Sequence, residues 1–550
     1  MNPRGQPLMR VGQTLSTAGL LLGTIFFALS LTPSLIPRSD MVQGSISGLS
    51  FTAGYGVGAL LAWLWSYLGL PKPAGRGRRL LQWIAAGLCA LLALAFLWQA
   101  SKWQNSVRAL MGMEEVSGVR PYTVTVVALA VFLVLLLAKA FRRIFSWVSR
   151  KLEQWIPRRV SVLLGLVAAF ALFWAIVNDV LITAALHAVD SSYQKLDERM
   201  QPDLPPPADP LKPGGAESLL SWQSMGHQGR RYLALGPTGA QIGELGGESI
   251  DPIRVYVGLN AAETPDERAR LALEELKRVG GFERALLILI TPTGTGWVDP
   301  GAINSVEYLH RGDIASVAAQ YSYLPSPIAL MTEDAYGRDS AEALFRAVYG
   351  HWRQLPRESR PRLYLFGLSL GALNSDRSFD FFDIIDDPFD GALWAGPPFR
   401  SDTWREVTAE RDPGSPAWLP VFGGGAVVRF GNHFGGYDKG DVPWGSFRLA
   451  YLQHGSDPIV FFEPQALYRR PAWMIAPRAR DVSPDLHWYP IVTMFQLAAD
   501  MHAGAAPMGF GHSYAPADYV RAWLALTEPR GWTKEDLQRL RERLSEYNKR

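Results

Sequence analysis

Apolar positions follow two different patterns along the chain. Up to about residue 190 they form long unbroken runs; beyond it they come as short bursts between polar, helix-periodic stretches. The runs cover Thr14–Pro37, Ile46–Leu70, Leu80–Ala100, Tyr122–Ala140 and Ser161–Val189. A membrane-crossing helix needs about 20 mainly apolar residues, so five spans are expected. The first run lacks an A-x-A cleavage pattern and is followed by further runs, which makes it an anchor rather than a signal peptide. Phe141–Ile156 interleaves aromatic and basic residues and is expected to lie at the inner membrane interface. Gly54-Tyr-Gly-Val-Gly58 has the small-residue spacing that lets two helices approach closely. Asp179, beside Asn178 in the fifth run, is either a functional group or one end of an interhelical hydrogen bond.

The second half begins after Asp203–Gly215, a Pro-rich segment expected to be an extended spacer. The domain reading is a transmembrane helical domain over 1–190, a linker over 191–215 and a catalytic domain over 216–550. From about Asp251 strand and helix patterns alternate, which predicts an α/β domain with a mostly parallel sheet. The expected strands are Ile253–Leu259, Ala285–Ile290, Ala315–Tyr323, Leu363–Phe366, Gly391–Ala395 and Phe447–Gln453. The expected helices are Thr264–Val279, Ser340–Tyr349 and Pro516–Leu526. Thr264, Pro265 and Glu267 supply the first of these with a capping box.

One strand ends in candidate chemistry. Gly367-Leu-Ser-Leu-Gly371 is a G-x-S-x-G pattern that occurs once, with a strand before it and a helix start after it. In a nucleophile elbow the serine sits on a sharp strand-to-helix turn, and a Cβ at either glycine would crowd the neighbouring strand or helix. The plainer reading is an ordinary tight turn with an unreactive serine. A serine nucleophile needs a base, an orienting acid and an oxyanion hole, and in the α/β-hydrolase fold the chain order is serine, acid, histidine. Asp457, in His454-Gly-Ser-Asp-Pro458 after a late strand, is the candidate acid, and it could also cap a helix starting at Pro458. His512, flanked by glycine before the last predicted helix, is the candidate base, with His433 and His502 as fallbacks. His454 is expected to shape the Asp457 loop. The oxyanion donors are expected to be the amide of Leu370 and one from Thr293, Gly294, Thr295 or Gly296. The glycine-rich loop could also be a phosphate cradle, but it lacks the lysine of that motif.

Composition narrows the setting. The 550 residues carry a net charge of +3, so there is no nucleic-acid footprint. The single cysteine, Cys89, lies in an apolar run, which excludes disulfides, thiolate zinc sites and a cysteine nucleophile from the second half. No cofactor or metal is called for. Positive charge gathers at Arg4 and Arg10, at Lys72 to Arg79, and at Lys139 to Arg159, while the alternate loops are poor in it. The positive-inside rule then gives a multi-pass protein of the inner (plasma) membrane, with a cytoplasmic N-terminus and the second half outside the cytoplasm.

Four stretches resemble a bacterial α/β-hydrolase family whose catalytic domain is fused to an N-terminal membrane-helix bundle. They are Ser30–Arg38, Thr291–Pro300, Gln320–Ser326 and Gly367–Gly371. Some members are similar to enzymes that remove amino acids from aminoacylated membrane lipids, so the resemblance implies a lipid substrate such as an aminoacyl-phosphatidylglycerol. The residues add a hint of their own: Asp380, Asp383, Asp386, Asp387 and Asp390 lie among phenylalanines just after the elbow helix. They form either an acidic lip for a cationic headgroup or a solvated helix end. The expected function is a membrane-bound serine esterase acting on a lipid or envelope ester. The alternatives are transfer of the acyl group to an envelope acceptor, or a hydrolase-like binding module on a transporter or signalling unit.

Overall fold

Seven short apolar runs pair side by side because each buries both of its faces, the pattern of a sheet covered by helices on both sides. The computed structural model describes residues 16–71, 73–118, 121–175, 197–324, 334–502 and 506–547. The strands are β1 (Ile253–Val257), β2 (Leu286–Thr291), β3 (Ile314–Ala319), β4 (Arg362–Leu368), β5 (Gly391–Ala395), β6 (Val428–Gly431) and β7 (Arg448–Leu452). They form one parallel sheet in the order β1-β3-β2-β4-β5-β7-β6. The α/β expectation holds, and six of the strands were anticipated. The seventh, β6, is four residues long and ends in glycine, too short to show alternation.

Register decides where the loops meet. Thr291 pairs with Gly367, Leu368 with Ala395, and Ala395 with Leu452. The carboxyl ends of β2, β4, β5 and β7 therefore lie level, and the segments that follow them start from one edge of the sheet. Helix Pro265–Arg278 carries the expected capping box of Thr264 and Glu267. Helix Pro516–Thr527 closes the domain and packs Tyr519 and Trp523 against Phe366 of the elbow strand. The Pro-rich segment is not extended. It folds into turns, with Lys212 accepting from the amide of Gly215 and pairing with Asp251 at 3.1 Å, while Arg278 donates to the carbonyl of Leu211. Side-chain partners thus override the spacer tendency of its prolines.

The chain divides into two compact units, and the division is not at one point in the sequence. One contains residues 1–185, 462–475 and 480–506; the other contains 186–461, 476–479 and 507–550. In the first unit the helices are α1 (Thr17–Ser30), α2 (Asp40–Tyr67), α3 (Gly75–Leu110), α4 (Pro121–Leu152) and α5 (Arg158–Ala175). Among the described residues three are long and apolar enough to cross a membrane: Asp40–Tyr67, Gly75–Leu110 and Thr125–Leu152. α1 is apolar but has 14 described residues, about 21 Å of helix. The fifth expected span lies partly outside the described residues, and so do Asn178 and Asp179. These helices leave large apolar side chains uncovered, such as Leu91 at 67 % and Phe132 at 60 %, a surface suited to lipid rather than water. α4 runs on through Phe141 to Leu152, so most of this aromatic–basic stretch is the end of the same long helix.

Backbone proximity holds α1 against α2. A Cβ on Gly54 would come within 2.5 Å of the Leu22 carbonyl, and one on Gly58 within 2.3 Å of the Ala18 carbonyl. The turn Leu31–Pro37 is tied to helix Val492–His502 of the same unit. Asp500 accepts from the amide of Leu35 at 3.1 Å and from Arg38 Nε at 3.0 Å. Gln496 donates to the carbonyl of Thr32 at 3.1 Å. The side chains of Arg38 and Asp500 are both fully buried. Removing one partner of such a pair strands the other charge. Asp500→Ala is therefore expected to cost about 3–5 kcal/mol, read as a lowered melting temperature of the detergent-solubilised chain.

Candidate active site

Ser369 follows β4 directly, with φ 56° and ψ −123°, a backbone region that non-glycine residues rarely adopt. Two close approaches enforce the turn. A Cβ on Gly367 would lie 2.3 Å from the carbonyl of Gly371, and one on Gly371 would lie 2.2 Å from the carbonyl of Thr291 at the end of β2. The amide of Ser369 donates to the carbonyl of Ala395, the last residue of β5, at 2.9 Å. The elbow is thus bonded to the strands on either side of it, and its helix, Leu370–Asp376, starts at the next residue.

Asp457 and His512 meet at the same edge. Asp457 follows β7, is fully buried, and accepts from His512 Nδ1 at 2.8 Å and from the Tyr514 hydroxyl at 2.6 Å, both on Oδ2. Its Oδ1 accepts the amide of Ile459 at 2.8 Å, so it caps the following turn as well. Burial pushes its carboxyl up, but the His512 imidazole and the three hydrogen bonds outweigh burial and hold it below its ordinary value. Burial, reinforced by this carboxylate, pushes the Tyr514 phenol well up, so it stays a donor. A Cβ on Gly396 would fall 2.6 Å from His512 Cε1, so the imidazole lies on the residue after Ala395, the same carbonyl carrier that Ser369 uses. His512 Nε2 is buried and has no hydrogen-bond partner among the described residues. With Nδ1 engaged by the carboxylate, Nε2 is the nitrogen left to accept a proton.

A second buried pair supports this loop. His454 Nε2 lies 3.2 Å from Asp518 Oδ2, its Nδ1 lies 2.9 Å from the carbonyl of Gly511, and its ring stacks on Tyr514. It therefore braces the residue before His512. His433 packs edge-on to Phe510 and His454, and His502, on helix Val492–His502, bonds the Ala498 carbonyl of its own helix. Neither shares the carboxylate of Asp457.

The chain is matched along most of its length by two family models. One, described as the N-terminus of the α/β-hydrolase family, covers residues 31–237; the other, the α/β-hydrolase family itself, covers residues 253–540. The chain belongs to the α/β-hydrolase family. A search of curated proteins returns no match.

In this family member the loop after β2 is a hydrogen-bonded turn. Thr293 donates its amide to the carbonyl of Trp297 at 3.0 Å, and Gly296 donates to Thr293 at 2.8 Å. Those two amides are thereby engaged within the turn itself. Tyr256 pins the loop by donating to the carbonyl of Gly296 at 2.7 Å, and Gln320 packs beneath the same glycine. Asp299, pushed up to about 6 by burial, ends the loop by capping helix Pro300–Leu309 and accepting from Tyr519 at 2.9 Å.

The acidic lip is not at this edge. Asp390 bonds the amide of Leu363 at the amino end of β4, opposite Ser369. Asp387 is held bidentately by Arg360 at 2.7 Å, Asp386 pairs with Arg353, and Asp380 caps the turn at Phe382. Asp383 sits in that same short turn. The elbow helix, Leu370–Asp376, and the turn after it lead the chain back before this segment begins. Asp197 and Asp203 line a cavity of about 500 Å³ that reaches Thr295 of the loop after β2, together with Arg199, His227 and Tyr323. Both lie beside or within the supposed linker, so neither carried a motif to mark it.

Replacing Asp457 by Asn is expected to lower kcat by about 10⁴-fold, because Nδ1 loses its acceptor and the imidazole its tautomer. Tyr514→Phe removes one hydrogen bond to that carboxylate and is expected to cost about tenfold, with KM unchanged. The depressed value of Asp457 gives the sign of its pH effect: its stabilisation is complete above its ordinary 3.8 and is lost as the pH falls below that. The melting advantage of wild type over Asp457→Asn should therefore persist above this pH and shrink in stronger acid.

Proposed function

We propose that this α/β-hydrolase is a membrane-bound serine esterase acting on a lipid or envelope ester. The observation that carries this reading is the serine held at positive φ at the sheet edge where Asp457 engages His512 Nδ1. Ser369 Oγ attacks the ester carbonyl while His512 Nε2 takes its proton. The oxyanion that forms accepts from the amide of Leu370 and from the loop after β2. His512 returns the proton to the departing alcohol, which leaves Ser369 acylated. Water, losing a proton to His512, then attacks the acyl group, and the proton returns to Ser369 as the acid departs. Asp457 stabilises the imidazolium in both halves of the cycle.

What supports a membrane substrate is the set of three long apolar helices in the same chain. We assign the charge-poor loops and the catalytic unit to the outside of the cytoplasmic membrane, following the positive-inside rule. The substrate class we favour is an aminoacylated phospholipid, whose ester joins an amine-bearing acyl group to a lipid alcohol. The cavity beside Thr295 offers this ammonium group two carboxylates, Asp197 and Asp203, with Arg199 also in its lining. The full chain in nanodiscs should release free amino acid from aminoacyl-phosphatidylglycerol, and Ser369→Ala should lower the rate by at least about 10⁴-fold. No release from this or any other lipid ester, or equal release by Ser369→Ala, contradicts the reading; transfer of the acyl group to an added alcohol instead of water would make the enzyme an acyltransferase.

A further inference from the structure

The turn Thr293–Gly296 is clamped at both ends, and the two clamps differ in kind. At the near end the clamp is the elbow itself. A Cβ on Gly371 would lie 2.2 Å from the carbonyl oxygen of Thr291 and 3.0 Å from that of Pro292, so these two residues rest directly on the start of the elbow helix. At the far end the clamp is a pair of side chains from strands that carry no part of the elbow. Tyr256, on β1, donates its hydroxyl to the carbonyl of Gly296 at 2.7 Å. Gln320, the residue after β3, lies against the same glycine. A Cβ on Gly296 would come 2.5 Å from Tyr256 Oη and 2.9 Å from Gln320 Cγ, and its φ of 81° strains any other residue as well.

Both side chains are themselves fixed from behind. Tyr256 is fully buried, and Gly229 makes room for its ring: a Cβ there would fall 2.4 Å from Cδ1. Burial raises its phenol well above the ordinary value, so the hydroxyl stays a donor. Gln320 is also fully buried. Its backbone amide donates to the carbonyl of Val257 at 2.8 Å, and its side chain accepts from the amide of Leu259 at 3.2 Å. Its Nε2 donates to the carbonyl of Ser322 at 3.2 Å and reaches Asp197 Oδ2 at 3.4 Å. The far clamp is thus a rigid polar cluster rather than a passing contact.

Placement matters for a group that stabilises developing charge, because an error of about 1 Å can cost on the order of 100-fold in rate. We propose that Tyr256 and Gln320 are positioning residues for the ester reaction. They set where the Thr293–Gly296 turn stands relative to the amide of Leu370, and hence how well the oxyanion is held, without touching substrate. This inference rests on the esterase reading above.

Hydrolysis of p-nitrophenyl acetate by the full chain in detergent tests it, with Tyr256→Phe set beside Tyr232→Phe. Tyr232 is the control: it is buried, its ring centroid lies 6.0 Å from that of Tyr256, and its hydroxyl bonds Ser316 at 2.6 Å instead of the turn. Each substitution deletes one buried hydroxyl and should lower the melting temperature to a similar extent. Tyr256→Phe alone should lower kcat, by about 10- to 100-fold with KM unchanged. It should weaken inhibition by a trifluoromethyl ketone, whose serine adduct carries the oxyanion, by the same factor. Gln320→Glu sets a second carboxylate against Asp197 and should act in the same direction, which keeps the test decisive even where Tyr256→Phe does not fold. Wild-type kcat in the folded variants, equal losses in Tyr256→Phe and Tyr232→Phe, or a loss confined to KM would each overturn the proposal and leave the esterase reading standing. A wild type that neither turns over the ester nor binds the ketone would overturn the esterase reading, and this inference with it.

Discussion

Three backbone segments converge at Ser369 at distances that admit no side chain. The carbonyls of Thr291 and Gly371 stand where Cβ atoms on Gly371 and Gly367 would be, and the amide of Ser369 is bonded across to Ala395. A non-glycine residue at positive φ costs on the order of 1–3 kcal/mol and persists only when its surroundings over-determine it. Here the surroundings are the central strands of a sheet buried on both faces. The sheet is thus more than a platform. Its register brings the ends of β2, β4, β5 and β7 level, and that fixes where Ser369, the Thr293–Gly296 loop and the Asp457 loop can begin.

His512, the candidate base, reaches this edge by a longer route. Between Asp457 and His512 the chain leaves the α/β unit, contributes residues 462–475 and 480–506 to the helical unit, and returns. Within that unit, Gln496 and Asp500 bond the Leu31–Arg38 turn through the Thr32 carbonyl, the Leu35 amide and Arg38 Nε. A stretch that interrupts the catalytic sequence is therefore also structural for the helices. After the return, the His454–Asp518 pair and Tyr514 fix the loop that carries His512, so two buried polar networks share the task of aiming one imidazole.

Much of this was legible from local pattern. The elbow is a five-residue motif with its own strand and helix, and the order of serine, acid and histidine along the chain follows from strand succession. The capping box at Thr264 and the close spacing of Gly54 and Gly58 are likewise local signals. Long-range partners were not legible. Tyr514 reads as one more aromatic until Asp457 stands beside it, and Asp500 as a polar helix residue until Arg38 is buried against it. Asp386 and Asp387 failed in the opposite sense: nearness to Ser369 in sequence suggested nearness in space, but one helix carries them to the far edge, where arginines neutralise them. Composition misled at Asp203–Gly215, where proline suggested extension and side-chain partners made turns.

The most direct test of the central claim, an activated serine at the elbow, is covalent labelling of the full chain by a fluorophosphonate, with the modified peptide mapped. The account predicts one adduct, on Ser369, absent from Ser369→Ala and strongly slowed in His512→Ala while both variants remain folded. An unlabelled wild type, or an adduct of equal rate in Ser369→Ala, would contradict it.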